Sequence, residues 1–231
     1  MIKLGVPSKG RLMEETFSWF AKRGVTLSKP GGDREYVGAV AGIDGIEMVL
    51  LSAGEIPREL AAGRIQLGVT GSDLVRERLA NWEARVEPLA RMGFGHADLV
   101  IAVPAFWGDC ATVHDLDAVA AMFRARHGFR LRIATKYHRL VRQFLAERGV
   151  ADYQLVDSQG ATEGTVKNET AEAIADITTS GATLTANHLR KLEDGLIHES
   201  QATLFLSRGA ELSEEDRAVL EQLKAVLGLG A

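Results

Sequence analysis

The chain has 231 residues, 46% apolar and 25% charged, with a formal net charge of −4. Those figures fit a globular protein of one large or two small domains and argue against a nucleic-acid-coating surface. One cysteine, Cys110, excludes an internal disulfide and fits a reducing compartment. The opening "MIKLGVPSKGRLMEE" turns polar too early for a secretory signal, and the apolar run "LVIAVPAFW" is too short for a bilayer, so a cytoplasmic location with no membrane partner is expected.

Short apolar runs alternate with longer amphipathic stretches. "IKLGV" (2–6) reads as a strand and 11–23 as a helix, with Leu12, Thr16, Trp19 and Phe20 on one side and Gly24 as its stop. Strands "IEMVLL" (46–51) and "QLGVT" (66–70) enclose a helix at 55–62, and another helix follows at 73–80. "ADLVIAV" (97–103) precedes a helix at 115–127 that carries Leu116, Val119, Ala120 and Phe123 on one stripe, with Gly128 behind it. Then come "LRIAT" (131–135), a helix at 137–148, "YQLV" (153–156), "AIADIT" (173–178), a helix at 184–193, "ATLFL" (202–206) and a helix at 213–227. Such alternation predicts α/β architecture with mainly parallel sheets flanked by helices.

Sheets of this kind bind ligands beyond the carboxyl ends of their strands. Four such ends run into polar or glycine-containing turns. They carry Ser8, Lys9, Gly10 and Arg11; Gly71, Ser72 and Asp73; Lys136, Tyr137, His138 and Arg139; and the run "DITTSGAT". In the last, Asp176 leads into Thr178, Thr179, Ser180, Gly181, Ala182 and Thr183, where small side chains expose the backbone and Gly181 permits a left-handed turn. With a helix following, the turn reads either as a phosphate cradle or as a plain capped loop. Together the four turns suggest basic and hydroxyl groups for a polyanion, and carboxylates for sugar hydroxyls or Mg²⁺. Bland readings stand beside these. Lys9-Gly10-Arg11 also fits a solvated turn, Arg34 and Glu35 an exposed charge pair, Tyr137 a core residue, Asp73 an N-cap and Glu172 a surface carboxylate. There is no P-loop, dinucleotide-binding fingerprint, nucleophile elbow or H-x-x-x-H pair, which removes those chemistries' usual support.

Four segments, "SKGRLMEETF", "EIPRELAAGRIQLGVTGSDL", "LRIATKYHRLVRQFLAERG" and "GATEGTVKNETAEAIADITTSGATLTANHL", occur in an order that resembles the ATP phosphoribosyltransferase family. The core of the fourth, acid-x-x-x-Ser/Thr-Gly-x-Thr-Leu, is similar to that family's phosphoribosyl diphosphate (PRPP) loop. The resemblance implies two α/β lobes like type II periplasmic binding proteins, with the active site in an interlobe cleft. Lobe I would hold residues 1–95 and 188–231, and lobe II residues 96–187. It implies the first step of histidine biosynthesis: ATP's adenine N1 condenses with PRPP, releasing pyrophosphate, with Mg²⁺ required. The length is similar to the short form, which works as a hetero-oligomer with a regulatory subunit related to histidyl-tRNA synthetase.

For the site, the resemblance implies that Asp176, Glu163, Lys9 and Arg34 act in catalysis. Backbone amides of Thr179 to Thr183, beside Thr178, would hold the 5′-phosphate, and Lys9, Gly10 and Arg11 would face pyrophosphate. Thr135, Lys136, Tyr137, Gly71 and Asp73 would line the ATP side. No metal is bound directly; Mg²⁺ rides on the phosphates, with Glu172 or Asp176 as possible ligands. The chain departs from the family pattern at Ser52 (commonly Arg), Val166 (Pro), Glu169 (Gly) and His138 (Pro). The rival readings are a non-catalytic two-lobed protein binding a phosphorylated or amino-acid ligand, and a salvage phosphoribosyltransferase. The latter usually shows two adjacent acids before its loop, whereas only Asp176 stands here.

Overall fold

The computed structural model describes residues 1–29 and 37–229. From the N-terminus run β1 (Ile2–Pro7), α1 (Gly10–Ala21), β2 (Thr26–Ser28), β3 (Val37–Ala41), β4 (Ile46–Leu51) and α2 (Ile56–Ala61). Next come β5 (Leu67–Gly71), α3 (Ser72–Arg78), α4 (Trp82–Arg85) and β6 (Val86–Arg91). A second stretch holds β7 (Ala97–Pro104), α5 (Val113–His127), β8 (Leu131–Thr135), α6 (His138–Glu147) and β9 (Tyr153–Asp157). It continues through α7 (Gly164–Lys167), β10 (Ala173–Thr178), α8 (Ala182–Ala186) and β11 (Leu189–Ser200), before β12 (Ala202–Ser207) and α9 (Glu214–Leu227).

The chain divides into unit 1 (Met1–His96 with Gln201–Ala231) and unit 2 (Ala97–Ser200). The first crossing falls between His96 and Ala97. The second lies about a dozen residues beyond residue 188, because β11 pairs antiparallel with β7 and so belongs to unit 2.

Unit 1 has one sheet in the order β2-β3-β4-β1-β5-β12-β6. β4, β1 and β5 are parallel, while β3 and β12 join them antiparallel on either side. Strand β1 is buried from Leu4 to Pro7, as suits a central strand covered on both faces. Helix α1 buries Met13, Thr16, Trp19 and Phe20, and α9 buries Leu220, Leu223 and Leu227. Both close on a core built around Ile2, Leu4, Met48 and Leu204. Each fully buried aliphatic or aromatic side chain there contributes roughly 1.5–3 kcal/mol.

Unit 2 has the order β11-β7-β10-β8-β9, parallel across β10-β8-β9 and antiparallel across β11-β7-β10. Both sheets are therefore mixed: three strands of each run parallel, and antiparallel strands complete it. Helix α5 opens on a capping box in which Thr112 and Asp115 satisfy each other's amides, and it stops at Gly128, whose φ of 76° is left-handed.

The expected helix at 184–193 is formed only at its start. Helix α8 ends at Ala186, and from Leu189 the chain is strand. The burial pattern of β11 explains the misreading. Leu189, Leu192 and Gly195 are its buried positions in that stretch, a spacing of three that two register shifts against β7 create and that imitates a helix.

Candidate active site

In unit 1, three turns leave neighbouring parallel strands on the same edge of the sheet. β1 pairs with β4 through Pro7 and Leu51, and with β5 through Gly5 and Gly68, so the turns after Pro7, Leu51 and Gly71 lie side by side. After β1, Lys9 is exposed and extended at the N-cap of α1, and Gly10 takes a φ of 73°. Arg11 is exposed and pairs with Glu15 across one helical turn at 3.0 Å. After β4, Ser52 donates its hydroxyl to Glu55 Oε2 at 2.6 Å, and its N–H donates to the same oxygen. Those two bonds, together with the Arg58 charge, hold the Glu55 carboxyl below its ordinary value, opposed by partial desolvation. The place where the resemblance expects Arg is thus a small capped turn. After β5, Asp73 is buried in the first turn of α3, two residues inside the Gly71 N-cap, so it favours the helix by charge rather than as its N-cap. Arg34 lies outside the described residues.

In unit 2, the strand ends of β8 and β10 converge. Their register pairs Ala173 with Ile133 and Ile174 with Ala134; carried two residues on, it sets Asp176 opposite Lys136. Lys136 Nζ lies 3.5 Å from Asp176 Oδ1, and that oxygen also accepts the Ile177 N–H at 2.8 Å. The residue expected on the ATP side therefore stands beside the PRPP-side acid. A cavity of about 240 Å³ opens here, lined by Glu163, Asp176, Thr178, Thr179, Ser180 and Thr183 over the apolar side chains of Ile174 and Leu184. The expected acids Asp176 and Glu163 and the expected hydroxyl turn share this one concavity.

The turn is folded by its own hydroxyls. Gly181 N–H donates to Thr178 Oγ1 at 2.9 Å, and Ala182 N–H to Ser180 Oγ at 3.3 Å. Gly181 has φ 75°, a conformation a side chain resists, and a Cβ built there meets nothing within 4 Å. With only five residues, α8 lends little macrodipole. The N–H groups of Gly181 and Ala182 thus rest on neutral hydroxyls, and hydrogen bonds to a charged acceptor are roughly twice as strong.

Other expected site residues fall elsewhere. Glu172 is not in this cavity; its carboxylate accepts the Arg132 N–H at 2.8 Å and both Nε and Nη2 of that guanidinium. The pairing is the main cause that raises the Arg132 pKa above its ordinary value. Glu172 is therefore a structural partner of β8, since its place in chain puts it opposite Arg132. Tyr137 is buried, its N–H donating to Thr135 Oγ1 at 2.9 Å, and Thr135 is itself fully buried, so both shape the start of α6. Sequence reasoning missed the apolar floor from Ile174 and Leu184, which only strand and helix register reveals.

The family model described as ATP phosphoribosyltransferase matches residues 52–227. An ATP phosphoribosyltransferase of Cereibacter sphaeroides is 73% identical over 213 residues, covering 92% of this chain and 90% of that one. Another, of Mesorhizobium japonicum, is 50% identical over 232 residues, covering 99% and 100%. Among solved structures, a chain of the ATP phosphoribosyl transferase (HisG:HisZ) complex from Thermotoga maritima superposes with a TM-score of 0.73 at 21% identity, covering 98% of each chain. The substrate-binding protein of an amino acid ABC transporter gives a TM-score of 0.50 at 13% identity, covering 98% of this chain and 91% of that one. These structural likenesses speak to the fold, which is that of type II periplasmic binding proteins. The sequence likenesses speak to descent: the chain belongs to the ATP phosphoribosyltransferase family.

Proposed function

We propose that the donor site of this pentosyltransferase is the unit 2 cavity, where the Thr178–Thr183 turn takes the 5′-phosphate of PRPP and Asp176 with Glu163 takes the ribose hydroxyls. The observation that carries this reading is that two carboxylates, a lysine and a hydroxyl-rich left-handed turn meet around one concavity. In the reaction, adenine N1 of ATP attacks C1 of the ribose with inversion, the N1–C1 bond forms, and the C1–O bond breaks to release pyrophosphate. Adenine N1 is mostly unprotonated at neutral pH, so no strong base is needed. The transition state is oxocarbenium-like, and the site's task is to hold the sugar and balance charge. Asp176 does this by accepting from a ribose hydroxyl while Lys136 keeps the carboxylate in place. In unit 1, Lys9 and Arg11 are the proposed cations for polyphosphate groups, and Gly71 and Asp73 the proposed neighbours of ATP.

Magnesium is proposed to arrive on the substrate phosphates. Among the described residues no cluster of three or more His, Cys, Asp or Glu could hold a metal. Asp176 and Glu163 suit a hydrated ion shared with phosphate oxygens. Its charge would offset the leaving pyrophosphate. A regulatory subunit resembling histidyl-tRNA synthetase is the proposed partner, supported by the two-protein composition of the Thermotoga maritima complex. A cytoplasmic site of action is proposed with it; among the described residues no helix is long and apolar enough to cross a membrane.

Incubation with ATP, PRPP and MgCl₂, with and without that partner, tests the reading through near-ultraviolet absorbance of the N1-substituted adenine. Product is expected. Its absence under both conditions would remove the reading.

A further inference from the structure

Lys136 and Glu163 reach the donor site on two different turns, and those turns leave neighbouring strands at the same level. Strands β8 and β9 run parallel and pair Thr135 with Asp157, the last residue of each. From Thr135 the chain passes through Lys136 into α6; from Asp157 it passes through residues 158–162 to Glu163, the N-cap of α7. The Ser158 N–H donates to the Thr135 carbonyl at 3.1 Å and continues the ladder by one rung.

Past that rung a side chain ties the two turns together. His138 Nε2 lies 3.1 Å from Asp157 Oδ1, and Gln159 Nε2 donates to the same oxygen at 2.9 Å. The His138 bond, then the Gln159 bond, hold the Asp157 carboxyl below its ordinary value. An ionised carboxylate only accepts, so Nε2 is a donor in this pair. With side chains 35% and 60% exposed, the pair adds little to stability. Its use is geometric.

Each turn needs an anchor. Helix α6 opens at His138 behind a Tyr137 N-cap that makes no side-chain capping bond. Where the family resemblance expects proline, whose ring would fix φ at this first helical residue, histidine instead reaches across to β9. The other turn holds Ala161 at φ 33°, a left-handed conformation that a side chain resists. It is braced from within: Ser158 Oγ lies 3.2 Å from the Gly160 carbonyl oxygen and 3.1 Å from Thr162 Oγ1, and both Ser158 and Thr162 are buried. A turn so braced moves with its root at Asp157, and Glu163 lies at its far end.

We propose that His138 is a positioning residue for the donor site: its bond to Asp157 fixes the turn that sets Lys136 3.5 Å from Asp176 and the turn that carries Glu163 to the cavity. This role rests on the donor-site reading above. Steady-state kinetics of the full chain with its partner, ATP and MgCl₂, varying PRPP, tests it. His138→Ala and Asp157→Ala should each raise KM for PRPP about three- to tenfold, the factor one net hydrogen bond is worth, with kcat within twofold. The double variant should be no worse than Asp157→Ala alone, because both substitutions remove the same bond. His138→Gln, whose side-chain amide can donate in place of Nε2, should restore KM to within twofold of the wild type. A histidine serving stability alone would lower Tm and the active fraction, and so kcat, without moving KM. Unmoved KM in either single variant, no rescue by glutamine, or additive losses in the double variant overturns the role. Calorimetric titration of Asp176→Ala with PRPP separates the two readings. Unchanged affinity there removes the donor site itself; weakened affinity there, with no response at residue 138, removes only the positioning role.

Discussion

Gly181→Ala separates the fold of the phosphate turn from its function. Gly181 sits at φ 75° and ψ −2°, and an added Cβ meets no protein atom within 4 Å. The stability cost is therefore confined to the backbone: about 1–2 kcal/mol for an alanine in the left-handed region. A stiffer unfolded chain offsets that by about 0.4–1 kcal/mol. A net loss near 1 kcal/mol should lower Tm by about 2–4 °C. Donor binding should suffer far more: in the proposed reading the N–H groups of Gly181 and Ala182, which now donate to Thr178 and Ser180, turn to the phosphate, and a residue at 181 that resists the left-handed region turns one of them away. Each bond to a charged group is worth about 1.5–3 kcal/mol, so losing one raises the PRPP dissociation constant roughly 10- to 150-fold. Calorimetric titration with PRPP, beside urea unfolding of both proteins, reads the two quantities. A variant that loses about 1 kcal/mol of stability yet binds PRPP within twofold of the wild type would refute the assignment of these amides.

The two carboxylates ahead of the turn should behave oppositely. Glu163→Gln should raise KM for PRPP several-fold at nearly unchanged stability, whereas Glu172→Gln should cost about 1–3 kcal/mol by weakening the Arg132 pair and leave KM for PRPP alone. Thr112→Ala should cost about 1 kcal/mol through loss of the α5 cap, measured by urea unfolding at pH 7. Hydrogen bonds from the Thr112 hydroxyl and amide hold the Asp115 carboxyl below its ordinary 3.8. A depressed carboxyl stabilises above its unfolded value and loses that contribution as pH falls through the folded one. The gap between wild type and Thr112→Ala should therefore narrow below about pH 3.8, and a constant gap down to pH 2 would contradict the pairing. Cys110 is buried, and burial, with the Asp115 charge, pushes its thiol above the ordinary value. It should resist Ellman's reagent at pH 8 in the folded protein and react fully in denaturant; prompt reaction of the folded chain would contradict its burial.

Much of this fold was legible because central strands write themselves as unbroken apolar runs. β1, β4, β5, β7, β8, β10 and β12 all fall within a residue or two of their expected spans. Among the described residues four strands were missed: β3 is a short apolar run interrupted by Gly38, and the other three lack that mark. β6 carries Pro88, β2 is three residues long, and β11 alternates polar and apolar residues with a spacing set by bulges rather than by the pleat. In the site, the acid, the hydroxyls and the left-handed glycine were readable because each residue type has a local job in a turn. The destinations of Lys136 and Glu172 were not. Lys136 meets Asp176, and Glu172 meets Arg132, because β8 and β10 pair in a given register, and nothing within either segment states that register.

The most direct measurement is the location of PRPP in a crystal soaked with it. The phosphate monoester should lie against the amides of residues 180 to 183, with a ribose hydroxyl on Asp176. Clear density for the donor at another place, with this turn still closed on its own Thr178 and Ser180 hydroxyls, would contradict the account.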